Sequence, residues 1–568
     1  MKLKGYIKYI GVVAFFGGVC GLAACLARLS GQDSQAAAWY SIVPAVLAIV
    51  LAFLTHHVLL SLGIAIVVGG LLSSVPPAPL SAAAWLGGLK SAALFVGAAA
   101  SDRTNLLILS FIPPIFVMVE VTIASGGFHG IILWLLKRVK NRKSAQAATA
   151  LLGILCFIDD YANAIIVGSM MQPITDRFRV SREKLSFIVD ATSAPISGLA
   201  VVSTWIAYEV GLFADMSQKL GMGKTGYSMF FDALSFRFYC LLMIVFVFVH
   251  IILGRDFGPM KSAEDNAKSE GTNHDNETDS SAHAGSPTGP ADGQVSGRAI
   301  NALLPLGGLI LFHMTGLWID GSGPARLAEG GSPLSWVYWR EVISDAEHSH
   351  HMLLFSALFG MTIALLCGRL SGALRLSTVR RCFYRGIKRA AMPSVILILA
   401  WSLKNCCDSL KAGEFLTTML ADRVSPHWFP PILFLVASVT SFATGTSWGT
   451  MAILIPTAIP VAFALDGQTY GLTTMISLGA VLDGAIFGDH CSPISDTTII
   501  SSTASSCDLM RHVRTQLPYS LSVAALALLG AYLPSAFGLA PRWSLTLAVL
   551  IMLSLFAGYS WYRRRRVP

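Results

Sequence analysis

Phe487-Gly488-Asp489-His490-Cys491-Ser492-Pro493-Ile494-Ser495-Asp496-Thr497-Thr498 is the stretch that decides how this chain is read. Two carboxylates, an imidazole and several hydroxyls surround a proline, inside sequence otherwise apolar enough to cross a bilayer. Ionisable groups at membrane depth are costly, and where they occur they mark ion pathways and binding sites. A carboxylate that must release a proton before it accepts a cation is the chemistry such a cluster carries. The expectation is an ion-coupled transporter.

The rest of the sequence supports the membrane setting. Its 568 residues are 54% hydrophobic and only 13% charged, against about 25% charged residues in a soluble chain. Mean hydropathy is +0.63. A hydrocarbon core needs about 20 mostly apolar residues per helix, so the apolar segments predict roughly 11 to 14 crossings. The expected fold is an all-α polytopic integral membrane protein. The net charge of +9 does not indicate nucleic acid, because the basic residues gather in short loops at 137–143, 177–184, 369–389 and 563–566. Lys and Arg in short loops mark the cytoplasmic side, which places the protein as a multi-pass component of a cell membrane, most simply a bacterial inner membrane. The ten cysteines show no CxxC pair and no disulfide framework.

The organisation reads as two halves. Residues 1–38 resemble a signal anchor, with Lys2, Lys4 and Lys8 ahead of an apolar run; a cleaved signal peptide and a lipoprotein box at Leu22-Ala23-Ala24-Cys25 are the alternatives. Residues 39–254 form the first transporter half. Residues 255–298 are rich in Ser, Gly, Asp, Glu, Asn and His and are expected to be a disordered polar loop. The second half spans 299–562, and 563–568 is a basic tail. Each half carries two polar interruptions in the same order. In the first they are Phe157-Ile158-Asp159-Asp160-Tyr161-Ala162-Asn163 and Asp190-Ala191-Thr192-Ser193-Ala194-Pro195-Ile196-Ser197, followed by Ser203-Thr204. In the second they are Phe442 to Thr450 and Asp489 to Ser495, followed by Ser501-Ser502-Thr503. Paired interrupted segments point to a binding site at a repeat interface.

Chemistry ranks the residues within those interruptions. Pro493 removes one helical hydrogen bond and frees carbonyl oxygens beside Asp489, Ser492 and Asp496. Carboxylate, hydroxyl and carbonyl oxygens are hard ligands suited to Na⁺; helix capping at a membrane boundary is the plainer alternative. Asp159 and Asp160 are adjacent carboxylates in an apolar segment, so they repel each other and are poorly solvated, and Asn163 falls on the same helical face. One of the pair, Asp159, could instead face an interfacial loop. Thr444, Thr446 and Ser447 beside Gly445 resemble a re-entrant hairpin tip, although Gly/Thr motifs also serve plain helix packing. The cation- and proton-binding set is therefore Asp159, Asp160, Asn163, Asp190, Ser193, Ser197, Thr444, Thr446, Ser447, Asp483, Asp489, His490, Ser492, Ser495 and Asp496. Na⁺ itself is expected at Asp160, Asn163, Asp489, Ser492 and Asp496. An intramembrane aspartyl protease would need Gly-x-Gly-Asp, and Ile486-Phe487-Gly488-Asp489 lacks its first glycine.

These motifs resemble the NhaC-type Na⁺/H⁺ antiporter family of the ion-transporter superfamily. The likeness rests on Asp159 to Asn163, Ser181 to Leu185 with Asp190 and Ala194 to Ile196, Ser203-Thr204-Trp205, Gly445 to Thr450, and Gly488 to Thr498, over roughly 39–253 and 390–525. It implies two structural repeats whose broken helices and re-entrant hairpins meet at a central site, with alternating access exchanging Na⁺ for H⁺. No enzyme activity, bound cofactor or nucleic acid is implied; the partners are the lipid bilayer, Na⁺ and H⁺, and a homo-oligomer is compatible. Relatives exchanging organic acids or amino acids give the alternative function on the same scaffold. No arginine is read inside the site to grip a solute carboxylate, which favours the cation exchanger.

Overall fold

A computed structural model describes residues 39–55, 57–74, 81–136, 139–269, 298–412, 415 and 425–566. The signal-anchor reading of 1–38 lies outside the described residues. Among those described the chain is helical throughout, and nine helices are long and apolar enough to cross a membrane. The pair Gly226–Leu234 and Phe238–Leu253, bent by 47°, passes the same test when taken together and is either a broken span or a re-entrant segment. Three shorter apolar helices are Trp39–Leu51, Val58–Ser74 and Phe429–Thr444, and the nine or ten spans among the described residues are fewer than the roughly 11 to 14 expected. Large apolar side chains such as Leu86, Ile252, Leu311 and Ile319 stand exposed on the outside. In water that surface would aggregate; against lipid it is the natural exterior.

Fourteen helices build or support the site and are labelled in chain order. They are α1 Arg103–Ala124, α2 Arg142–Leu155, α3 Asp160–Arg177, α4 Arg182–Ala191, α5 Ala194–Ser197, α6 Thr204–Leu220 and α7 Phe238–Leu253 in the first half. Then follow α8 Gly258–Ser269, α9 Leu376–Ser409, α10 Phe429–Thr444, α11 Ser447–Leu465, α12 Leu472–Cys491, α13 Asp496–Ala504 and α14 Leu509–Ala527. The two halves show the same order of elements. A helix pair with a sharp tip (α2/α3, α10/α11) is followed in each half by a helix that breaks (α4 into α5 and α6, α12 into α13). The tips match in detail: Asp159 caps α3 at φ −152°, ψ 125°, and Thr446 caps α11 at φ −149°, ψ 122°. Each uses its side-chain oxygen to accept a backbone N–H three residues on, from Ala162 and Gly449.

The halves exchange partners. Helix α3 of the first tip packs on α13 of the second break, and α11 of the second tip packs on α6 of the first. Tyr208 Oη of α6 donates to the Trp448 carbonyl of α11 at 2.6 Å, with Trp205 and Trp448 edge to face. Close approach of α10 and α12 rests on small residues: a Cβ at Gly484 would lie 2.5 Å from Phe434 O, and one at Gly488 2.2 Å from Ser438 O. One expected pairing fails in detail. Ser203 caps α6, whereas Ser501 to Thr503 lie inside α13, so those hydroxyls are not equivalent.

The 255–298 loop also needs correcting at its start, because residues 258–269 form α8 and dock on α4 and α14. The composition hid an amphipathic turn: Met260 and Glu264, four residues apart, are the two buried positions. Glu264 accepts from the Ser181 amide at 2.7 Å and pairs with Arg142, while Asp256 pairs with Lys184 and accepts from Tyr519 Oη at 2.8 Å. Both acids thus clamp the start of α4. Glu264→Ala is expected to lower amide protection of 258–269 roughly tenfold to a hundredfold in hydrogen exchange, with the spans unaffected.

Candidate functional site

Both tips and the second break meet at a cavity of about 850 Å³, whose wall includes Glu120, Asp159, Tyr161, Arg389, Thr446 and Asp496. The N-terminus of α3 enters this region because Asp159 stops the chain in extended backbone and caps the helix that follows. The two adjacent carboxylates then take opposite roles. Asp159 accepts from the Ala162 amide at 2.7 Å, from Arg389 Nη2 at 2.8 Å and from Thr204 Oγ1 at 3.3 Å. Asp160 is 1% exposed, and neither of its oxygens has a hydrogen-bond partner. From other helices the Trp205 indole and the Arg389 guanidinium lie near enough to act on it.

Asn163 completes this bare group. Its Nδ2 donates to the carbonyls of Gly153 at 2.7 Å and Thr192 at 2.9 Å, which orients the amide and leaves Oδ1 buried without a partner. Unpaired buried acceptors are rare and costly in a folded protein. Three of them belong to residues three apart on one helical turn.

From across the interface the second break contributes Asp489, which ends α12 and accepts from Thr497 Oγ1. Ser495 caps α13 and contacts Thr497 Oγ1 at 3.1 Å. Asp496 opens α13 at the cavity wall and accepts from Tyr161 Oη at 3.3 Å. Tyr161 lies within electrostatic range of Asp159, Asp160, Asp489 and Asp496 together, so its ring is the hub of the carboxylates. Thr444 lines the cavity beside Gly445 and Thr446, and Thr444 Oγ1 contacts Thr450 Oγ1 at 3.4 Å. Ser447 is buried in the first turn of α11.

The cavity thus lies where carboxylates and hydroxyls of both halves meet. The family described as the Na⁺/H⁺ antiporter family matches residues 198–533. The chain belongs to the Na⁺/H⁺ antiporter family. It is 31% identical over 509 residues to an uncharacterized protein of Haemophilus influenzae, covering 88% of this chain and 91% of that one. A shorter stretch of 124 residues is 35% identical to the malate-2H⁺/Na⁺-lactate antiporter of Bacillus subtilis, covering 20% of this chain and 25% of the other. The fold is similar to that of the YdaH transporter of Alcanivorax borkumensis, with a TM-score of 0.51 at 14% identity over 84% of this chain and 90% of that one. The motif resemblance is thus borne out, and the family match runs on through the 254–350 region where no likeness was read.

Within this antiporter several sequence-derived residues sit elsewhere. Asp483 is not at the cavity. Its Oδ1 accepts from Arg237 Nε at 3.1 Å, and its Oδ2 from the Tyr239 amide at 2.6 Å and Tyr532 Oη at 2.8 Å. Arg237 reaches Glu209 at 3.1 Å as well, and all three side chains are fully buried. This triad ties α6, the start of α7 and α12 together, and Arg237 balances the Asp483 charge directly. Ser492 is also engaged, its Oγ donating to the Phe442 carbonyl at 2.8 Å, so it fastens the break to the second tip. Ser193 Oγ donates to the Asp190 carbonyl at 2.9 Å, whereas Ser197 Oγ is buried without a partner. Asp190 and His490 lie together behind the second break, away from the cavity wall.

Sequence reasoning missed Arg389. It closes the 369–389 basic stretch, yet it is carried by α9 into the cavity wall, where Glu120 Oε1 lies 3.0 Å from Nη1. The reading that no arginine lies in the site is therefore wrong. Its signal was the junction itself, since Ala390 begins the apolar run within the same uninterrupted helix.

Proposed function

We propose that this antiporter exchanges Na⁺ for H⁺ by alternating access, with Asp160 as the group that binds either ion. The carrying observation is the set of bare buried oxygens, Asp160 Oδ1 and Oδ2 and Asn163 Oδ1. Na⁺ needs a deprotonated carboxylate, and a protonated Asp160 has no charge with which to hold Na⁺. One site that takes either ion couples the two fluxes. Asp489 from the last turn of α12 and Asp496 from the first turn of α13 complete the cation's shell as the repeats close. Arg389 neutralises Asp159, so the adjacent pair does not carry two uncompensated charges in one buried turn.

Proteoliposomes loaded with a pH-sensitive dye test this reading. An imposed Na⁺ gradient alone is expected to drive prompt proton counterflow, and Asp489→Asn to abolish it while the protein still inserts and folds. No response until an organic solute is supplied would overturn it.

That outcome would favour a second reading, a Na⁺- or H⁺-coupled organic-acid or amino-acid exchanger. Its support is the Arg389 guanidinium in a cavity far larger than one Na⁺ needs. Under it, Arg389→Gln raises the KM for the solute about tenfold or more by removing a charge-assisted contact.

A further inference from the structure

Behind the second break lies a second buried ionisable cluster, organised in the opposite way from the first. Asp190, at the end of α4, is fully buried, and both of its oxygens are engaged by donors. Ser501 Oγ donates to Oδ1 at 3.1 Å and Gln516 Nε2 to Oδ2 at 2.6 Å. The His512 imidazole is equally buried, with Nε2 3.5 Å from Oδ2, and neither ring nitrogen has a hydrogen-bond partner. Hydrogen-bond donors aimed at a carboxylate repel a metal cation, whereas a basic imidazole beside it accepts a proton.

We propose that Asp190 and His512 form a separate proton station of the exchanger, reached from the side of the basic loops and closed to Na⁺. This rests on the exchange reading above and names the route by which its proton arrives. His512 lies in the first turn of α14, which Asp508 caps through the Arg511 amide at 2.8 Å. Arg511 is exposed beside it and pairs with Glu183 at 2.6 Å, so the station is one helical turn from solvent.

In the other direction α13 connects the station to the cation site. Ser501 contacts Asp190, and Thr497, four residues earlier on the same face, contacts Asp489. Protonation turns the loose His512–Asp190 contact into an imidazolium–carboxylate pair. Release returns a neutral imidazole and hands H⁺ on along the hydroxyl face of α13.

Other ionisable groups face the pair. From α12 comes His490, whose Nδ1 contacts Tyr239 Oη of α7 at 3.0 Å and whose Nε2 is buried without a hydrogen-bond partner, a second imidazole beside Asp190; Cys491 and Asp489 lie there as well. The acids that α8 and its lead-in bring to this end, Asp256 and Glu264, are paired with Lys184 and Arg142. Among the described residues no lysine or arginine pairs with Asp190.

The test is His512→Gln in proteoliposomes, with two readouts. Exchange of radiolabelled Na⁺ against Na⁺ at equal pH should stay within about twofold of the unaltered protein, while Na⁺-driven proton movement falls about tenfold or more. Unchanged proton movement, or equal loss of both readouts, overturns the proposal. Ser501→Ala keeps both ionisable groups but removes one donor from the carboxylate and the first hydroxyl of the α13 face, so it should slow proton movement and shift the pH profile of the remaining exchange upward by about half a unit. An unshifted profile also overturns it. Absence of Na⁺ exchange in the unaltered protein would overturn the exchange reading together with this one.

Discussion

Asp160→Asn is expected to reduce Na⁺-driven proton movement by at least about a hundredfold, the effect of removing about 3 kcal/mol of charge stabilisation from a desolvated site. The amide preserves the volume and the helix, so the protein should insert and remain monodisperse in detergent. Asp160 has no partner to lose, which makes the substitution structurally quiet and chemically severe. Asp159→Asn should behave in reverse. Asparagine still caps α3, so exchange should persist within about tenfold, but the Arg389 ion pair is lost and thermal stability should fall. Measuring both variants for transport and for resistance to heat checks the split. Equal loss of transport in the two would mean that the carboxylates act as one unit.

Gly445→Ala is expected to be nearly as damaging for a mechanical reason. Gly445 adopts φ +67°, a conformation that costs a residue with a side chain about 1–2 kcal/mol. Its added Cβ would lie 2.6 Å from the Ile494 carbonyl and 2.9 Å from Ile494 Cγ1. Ile494 sits in the break that positions Asp489 and Asp496, so the second tip and that break must separate. Transport should fall about tenfold to a hundredfold. Gly223→Ala supplies the control: its φ of +63° is similar, but a Cβ there would meet nothing within 4 Å. A comparable loss of transport in both variants would assign the effect to backbone conformation alone.

Much of the architecture was legible before any contact was known. Length and hydropathy set the spans, and the order of polar interruptions set the repeats. The polar interruptions at Asp159 and around Gly445 located both tips, whereas the capping roles of Asp159 and Thr446 emerged only from the folded backbone. The docked helix α8 was obscured because its anchors, Met260 and Glu264, are sparse in polar sequence and act through Arg142 and Ser181 far away in the chain. Arg389 was hidden among arginines whose composition reads as topology.

The sequence by itself therefore determined that carboxylates stand at helix interruptions within a membrane, and on which local elements. Only the tertiary structure decided what each one does. Asp159 and Asp160 are neighbours with identical side chains, yet Arg389 pairs directly with one, and the oxygens of the other have no hydrogen-bond partner. Asp483 is engaged by Arg237, and Asp190 by Gln516, Ser501 and the nearby His512. The energy of a buried charge depends on the donors and counter-charges within a few ångströms. Along a helix those neighbours can be counted from spacing, but here they arrive from other helices, and only the folded chain brings them together.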